Sequence, residues 1–263
     1  MIVTMQVYVG CSGYSYDEWY GVFYPKSISR QKMLEYYSLY FPVVEINATF
    51  YTMPTEWMVK KWSATKMKYI IKYNREITHE KKLRGIEETL SLFHSRLIPL
   101  IKKQYLVAFL VQLPPSLERN LNLLENFLKL IPFPEMHAIE FRHSSWFVPD
   151  TIKLLRKYGS AFVIVDCPTL PRVVWTSTKW GYVRLHGRSI KPDWYHYCYT
   201  REQLEEWASR IESLRNDIDR LYVLFNNHPR GNATRNAMEF VSILSSRGIN
   251  VIRQKKGLDM YSK

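Results

Sequence analysis

The chain has 263 residues, a hydrophobic fraction of 46% and a formal net charge of +13. That length suits one large domain with a core of ordinary size, and no apolar run approaches the ~18 residues of a transmembrane helix. The opening MIVTMQVYVG has neither the basic start nor the small-residue cleavage site of a secretory signal, so a cytoplasmic location is expected. The three cysteines, Cys11, Cys167 and Cys198, form no CxxC pair and leave one unpaired in any disulfide scheme. They fit a reducing compartment, where they behave as small apolar residues.

The charge is concentrated. Residues 60–84 carry Lys60, Lys61, Lys66, Lys68, Lys72, Arg75, Lys81, Lys82 and Arg84 against Glu76 and Glu80, and the tail from Arg247 adds five cations against Asp259. Such segments attract polyanions through a sequence-independent field; the plainer alternative is a solvated lysine-rich face.

In chain order, a β-rich run at 6–10 (QVYVG) is followed by a helical stretch at 29–40. There Ser29 has N-cap character, and Met33, Leu34, Tyr37 and Phe41 recur at helical spacing. The run 42–47 (PVVEIN) leads past Pro54 to a helix over 55–64. A third run, 68–74 (KYIIKYN), precedes a helix over 85–104 that Pro99 should bend. Runs at 105–112 and 137–141 flank a helix at 122–131, and a helix at 149–159 precedes the run 160–166 (SAFVIVD). The last runs, 180–186 (WGYVRLH) and 220–226 (RLYVLFN), are each followed by a helix, at 200–214 and at 233–248, the second stopped by Gly248. Eight strands rich in Val, Ile, Tyr and Phe, alternating with helices, indicate parallel βαβ units. The economical closure is a single (β/α)8 TIM barrel over 1–263. An open doubly wound sheet is the alternative, but no GxGxxG or GxxxxGK[ST] follows any strand.

The C-terminal strand ends share a pattern. Glu45 and Asn47 lie two apart, as do Lys72 and Asn74, Glu140 and Arg142, and Arg184 and His186, each pair alternating with apolar neighbours. Gln112, Asp166 and the Asn226–Asn227–His228 trio end other runs, and Gly10, Ser12 and Gly13 follow the first. Polar pairs at i, i+2 would be faults in a core but belong at a barrel mouth, where barrel enzymes keep their chemistry. Three arrangements satisfy these residue types. In one, Glu45 and Glu140 are neutralised by Lys72, Arg142 and Arg184 in a closed network. In another, those cations clamp an anion, leaving Glu45, Glu140, Asp166 and His186 for acid–base work. In the third, these acids with His186 and one of His79, His143 or His228 hold two metals. That divalent-metal reading is disfavoured by three cations in the same mouth and by the lack of HxH or HxxxH spacing. GCSGYS lacks the G-x-S-x-G spacing of a nucleophile turn, so Ser12 is expected to hydrogen-bond backbone in a turn. Aromatic residues follow the strands: Tyr14, Tyr16, Trp19 and Tyr20, then Phe50 and Tyr51, then Trp146 and Phe147, then WYHYCY at 194–199. They suit stacking on bases or sugars, or a second small core.

Taken together, VGCSGYSYDEWYGVFYP, YYSLYFPVVEINATFY, ITHEKKL, FLVQLPPS, AIEFRHSSWF, YVRLHGR and VLFNNHPRGNATRNA resemble the YecE-like family (domain of unknown function 72), in order from about 7 to 245. The basic tail from 247 lies beyond the match. The resemblance implies a single TIM barrel but does not by itself imply an activity. The family's barrel has been likened to metal-dependent AP endonucleases, which brings in nucleic acid as a partner by analogy. Its motif positions fall here on Gly10, Ser12, Gly13, Glu45, Asn47, Thr49, Phe50, Tyr51, Lys72, His79, Gln112, Pro114, Glu140, Arg142, Trp146, Asp166, Arg184, His186, Gly187, Asn226 and Asn227. Two departures are Cys11, where relatives usually have Thr, and His228, where they often carry an acid.

The resulting expectation is a barrel mouth that binds an anionic, phosphate-bearing small molecule, with phosphoester hydrolysis as the reaction to test. Lys72, Arg142 and Arg184 would hold the anion. Glu45, Glu140, Asp166 and His186 would position it or move protons. Ser12, Asn47, Tyr51, His79, Gln112, Trp146, Asn226 and Asn227 would complete the site. The alternative is a non-catalytic nucleic-acid binder using the basic 60–84 segment and the aromatic loops. No membrane partner is expected, and the oligomeric state is left open.

Overall fold

A computed structural model describes residues 5–189 and 195–254 of the chain. Its elements are β1 (Gln6–Ser12), α1 (Met33–Ser38), β2 (Val43–Ile46), α2 (Ala48–Tyr51), α3 (Glu56–Ala64), β3 (Lys68–Lys72), α4 (Glu87–Lys102) and β4 (Leu106–Gln112). They continue as α5 (Leu121–Leu130), β5 (His137–Glu140), α6 (Pro149–Tyr158), β6 (Ala161–Asp166), β7 (Trp180–Leu185), α7 (Arg201–Glu212), β8 (Arg220–Phe225), α8 (Asn232–Ser246) and β9 (Asn250–Val251). The sheet order β2-β3-β4-β5-β6-β7-β8-β1 closes through a parallel β1–β2 pairing, so the fold is a (β/α)8 TIM barrel. All eight expected strands are present. A ninth was not anticipated: two-residue β9 pairs with Gln6 and Val7, on the half of β1 that β2 does not reach.

Local signals explain the element ends. Thr55 and Asn120 cap α3 and α5 by accepting from the backbone N–H three residues on, and Thr200 with Gln203 forms a full capping box on α7. Gly159 takes the left-handed conformation that ends α6. α4 runs through Pro99 to Lys102. Between β6 and β7 the described backbone forms no helix, so that crossover departs from strict alternation. Residues 76–80 form a π-helical turn that the apolar spacing did not signal. Gly10 is required where it sits, because a Cβ there would lie 2.1 Å from the carbonyl oxygen of Val43.

The chain divides into two compact units. One comprises Met1–Glu45, Ile164–Val174 and Lys179–Lys263, and the other Ile46–Val163 and Trp175–Thr178. In the first, Val7, Val9, Val183, Leu185, Leu221 and Val223 are fully buried, with Leu204, Trp207, Phe240 and Leu244 from α7 and α8. In the second, Ile70, Ile71, Phe109, Leu110 and Val111 form the strand core, covered by Leu90, Phe93, Leu97, Leu124 and Phe127. No helix among the described residues is long and apolar enough to cross a membrane.

Candidate functional site

In the first unit, parallel register puts Ser12 beside Glu45 and Arg184 beside Leu224, so side chains two apart on each strand share a face. Glu45 and Arg184 are 0% and 1% exposed. Arg184 grips the carboxylate with both arms, Nε at 2.8 Å from Oε2 and Nη2 at 2.6 Å from Oε1, the planar fork that suits guanidinium. Tyr182 donates its hydroxyl to the same Oε2. Tyr182 was not singled out in the sequence, although its place two before Arg184 puts it on that face. Arg184 Nη1 lies 3.5 Å from His186 Nε2, and His186 Nδ1 lies 2.9 Å from the Asn226 amide. Glu45, Arg184, His186 and Asn226 are thus brought together. Ser12 differs from expectation: its Oγ is buried with no hydrogen-bond partner, while Tyr16 donates to its carbonyl oxygen at 2.6 Å. Burial, then Glu45, hold the Tyr16 phenol well above its usual pKa.

Asp166 does not join this group. It is fully buried, and its Oδ2 accepts from Arg188 Nε at 2.8 Å and from the Trp207 indole of α7 at 2.7 Å. Arg172 Nε sits 3.1 Å from Oδ1, and Arg188 passes on to Glu206 at 2.9 Å. Asp166 therefore turns to Trp207 of α7 and to Arg172 and Arg188 on the segments either side of β7. Asn227 likewise turns to the loop, donating to the Tyr197 carbonyl at 2.8 Å and to Asn236 at 2.9 Å. His228 stacks flat on Tyr16 with centroids 4.4 Å apart and lies 3.3 Å from Glu18. Trp194 lies outside the described residues.

The second unit holds the other strand ends. Glu140 is fully buried and accepts from Arg142 Nε; Gln112 stands beside Glu140 in the β4–β5 ladder. Lys72 lies over the ring of Phe50, Nζ to centroid 4.2 Å, and Phe50 meets the edge of His79 at 4.8 Å. Thr49 donates to the Lys72 carbonyl oxygen at 2.6 Å, which ties α2 to β3. His79 sits on the π-helical turn, a distortion that often marks functional positions. Its pKa falls to about 4, first through burial and then through Lys72, Arg75 and Arg142, with Glu140 opposing. Lys72, His79, Glu140 and Arg142 are therefore one electrostatic group. Asn47 contributes an Oδ1 that is buried without a hydrogen-bond partner.

Two of the aromatic residues separate. Trp146, expected to complete the site, is 1% exposed, stacks on Phe141 at 4.6 Å and donates its indole N–H to Leu117 O at 2.8 Å. A fully buried indole with its one donor used is a core residue. Tyr51 is 73% exposed, with Phe50 as its ring neighbour at 5.0 Å. His143 caps the following turn through Ser145 and takes no part in the Glu140 group. Among the described residues, no three His, Cys, Asp or Glu side chains are grouped as a metal ligand set.

The family model described as "Protein of unknown function DUF72" matches residues 8–258. The chain is 28% identical to the UPF0759 protein YunF of Bacillus subtilis, covering 90% of this chain and 94% of YunF. A DUF72 family protein of Thermotoga maritima, solved by crystallography, is 33% identical, with a TM-score of 0.83 over 91% of this chain and 99% of its own. An AP endonuclease of family 2 from Brucella melitensis is similar in fold alone, with a TM-score of 0.51 at 10% identity over 88% of this chain and 96% of its own. The chain belongs to the DUF72 family.

Proposed function

We propose that this DUF72 barrel binds a phosphate-bearing anion at the strand ends of its second unit, and that phosphoester hydrolysis is the reaction to test first. The supporting observation is the charge around His79. Three cations, Lys72, Arg75 and Arg142, act on it against one opposing carboxylate, Glu140. Arg75 also pairs with Glu80 at 2.8 Å, but both of those side chains are about half exposed, so that pair screens weakly. Phosphate offers the planar and point cations here the oxygen acceptors they are suited to.

His79 fits the role of proton acceptor. Thr78 donates its hydroxyl hydrogen to the Asn74 carbonyl oxygen at 3.3 Å, so the Thr78 oxygen accepts from His79 Nδ1–H at 2.8 Å. The Nε2 lone pair is then available to a water or to a ligand hydroxyl. Burial, and then the cationic neighbours, make this imidazole a weak base; a bound dianion would offset the cations and raise its basicity where the substrate sits.

NMR titration of His79 with and without inorganic phosphate tests this reading. Bound phosphate should move the His79 pKa up from about 4 toward its ordinary value, and Lys72→Met should weaken phosphate binding about tenfold or more. An unchanged His79 titration at saturating phosphate, or no calorimetric binding, would refute it.

A further inference from the structure

The basic stretch 60–84 is continuous in sequence but forms two surfaces in the fold. β3 runs from Lys68 to Lys72, and at ~3.3 Å per residue it separates its two ends by roughly 13 Å. Lys72 and Arg75 lie at the end that holds His79. Lys60, Lys61, Lys66 and Lys68 lie at or before the other end, where the close of α4 joins them. Lys68 Nζ bonds the Gln104 carbonyl oxygen at 3.0 Å, and Lys103 Nζ reaches the Ser63 carbonyl oxygen at 3.4 Å. The first bond ties the start of β3 to the end of α4 and the second ties α4 to the last turn of α3, each ammonium resting against a carbonyl at a helix C-terminus, where positive charge is favoured.

The result is a face bearing Lys60, Lys61, Lys66, Lys68, Lys102 and Lys103. No acid occurs between Glu56 and Glu76 or between Glu88 and Glu118. Glu56, the nearest acid on α3, is paired with Arg96 at 3.4 Å. Beside the lysines, Trp57 is 68% exposed, and Lys61 Nζ stands 5.5 Å from its ring centroid. α3 satisfies the core with Val59 and Trp62, so the exposure of Trp57 is not a cost of packing.

We propose that this face is a docking surface for single-stranded nucleic acid, with the lysines on phosphates and Trp57 as a stacking platform for a base. An exposed aromatic ring set among cations is the combination that holds single strands without sequence preference. An anionic membrane fits less well. Interfacial helices present a broad apolar face, whereas nine-residue α3 turns Val59 and Trp62 inward and leaves a single indole outside.

The test is fluorescence anisotropy of a labelled 16-nucleotide single strand with the full chain, from 50 to 300 mM salt. Six neutralised phosphates at about −0.7 each give a log–log salt slope near −4. Lys60→Gln/Lys66→Gln/Lys103→Gln should lower that slope by about two and weaken binding at least tenfold at 100 mM salt. Trp57→Ala should weaken binding about tenfold with the slope retained. Because Trp57 is exposed, that second variant remains decisive should the triple variant fail to fold. Absent or salt-insensitive binding at 50 mM would overturn the proposal, as would binding unchanged in both variants. Lysine-dependent binding to phosphatidylserine vesicles, with none to the oligonucleotide, would overturn it in favour of a membrane.

Discussion

Acidification should destabilise this protein through a buried histidine pair in the second unit. Tyr73 bonds His94 Nε2 at 2.6 Å and His137 Nε2 at 2.7 Å, and His137 Nδ1 bonds the Phe133 carbonyl oxygen at 2.9 Å. A carbonyl only accepts, so His137 carries its proton on Nδ1 and its Nε2 accepts from Tyr73. The Tyr73 oxygen then accepts from His94 Nε2–H, which leaves His94 Nδ1 bare, and that atom is buried without a partner. Every proton in the chain is assigned, and an added one has no acceptor to meet at His137. Burial lowers the pKa of His94 to about 4, and burial with His94 lowers that of His137 to about 3, against an ordinary value of 6.5. The unfolded chain therefore binds more protons below pH 6.5. The stability is fully present above that value and is lost as pH falls toward the folded pKa values. At pH 5 each histidine accounts for a loss of about 2 kcal/mol, roughly 4 together. Urea unfolding at pH 7.5 and pH 5.0 measures this. His94→Gln, which can still donate to Tyr73, should remove about half of the pH-dependent loss. If the wild type and His94→Gln lose equal stability between the two pH values, the proton assignment is wrong.

Other outcomes follow from the same contacts. Glu45→Gln leaves the buried Arg184 guanidinium uncompensated and should cost about 3–5 kcal/mol in denaturant unfolding, whereas Tyr182→Phe, which removes one hydrogen bond to that carboxylate, should cost about 1–3. Trp146→Ala should cost about 3–5 kcal/mol as a core truncation, while inorganic phosphate binding by the folded fraction stays unchanged. Loss of phosphate affinity in that variant, with stability intact, would restore Trp146 as a ligand contact.

The strands were legible because each is a Val, Ile, Tyr and Phe run ended by polar residues, and the polar pairs did sort by alternation. Glu45, Arg184 and His186 share a face in one unit, as do Glu140 and Arg142 in the other. Alternation does not say which of its two faces is inward, and Asp166 shows the consequence. It ends its run just as Glu45 does, yet the odd or even position that brought it there aims it at Trp207 and Arg188. For Trp146 the sequence left stacking and a second small core open, and the 3-10 turn at Ser144–Trp146 folds the indole back onto Phe141, in favour of the core. Nothing in residues 76–80 signals a π-helical turn, because one inserted residue shifts the register of a period only five residues long. The Tyr73–His94–His137 chain escaped notice because its members are 21 and 64 residues apart in sequence.

The pairing geometry also decides which strand ends are suited to an anion. Arg184 donates both forks to Glu45 and reaches His186 with its remaining arm. An anion competing for it would have to displace a buried bidentate carboxylate and leave Glu45 without its counter-ion, a loss that one new ion pair does not offset. Asp166 is subject to the same restriction, with Arg188 and Arg172 drawn to it. Around His79 the balance differs: burial lowers the imidazole's pKa first, and Lys72, Arg75 and Arg142 then lower it further against Glu140 alone. A phosphate arriving there meets a positive field, in which Arg142 is held by the buried Glu140 and Arg75 by the half-exposed Glu80. On that argument Arg184 is a structural cation and Lys72 a recognition cation: Lys72→Met should reduce phosphate affinity with little effect on unfolding, and Arg184→Met should do the reverse.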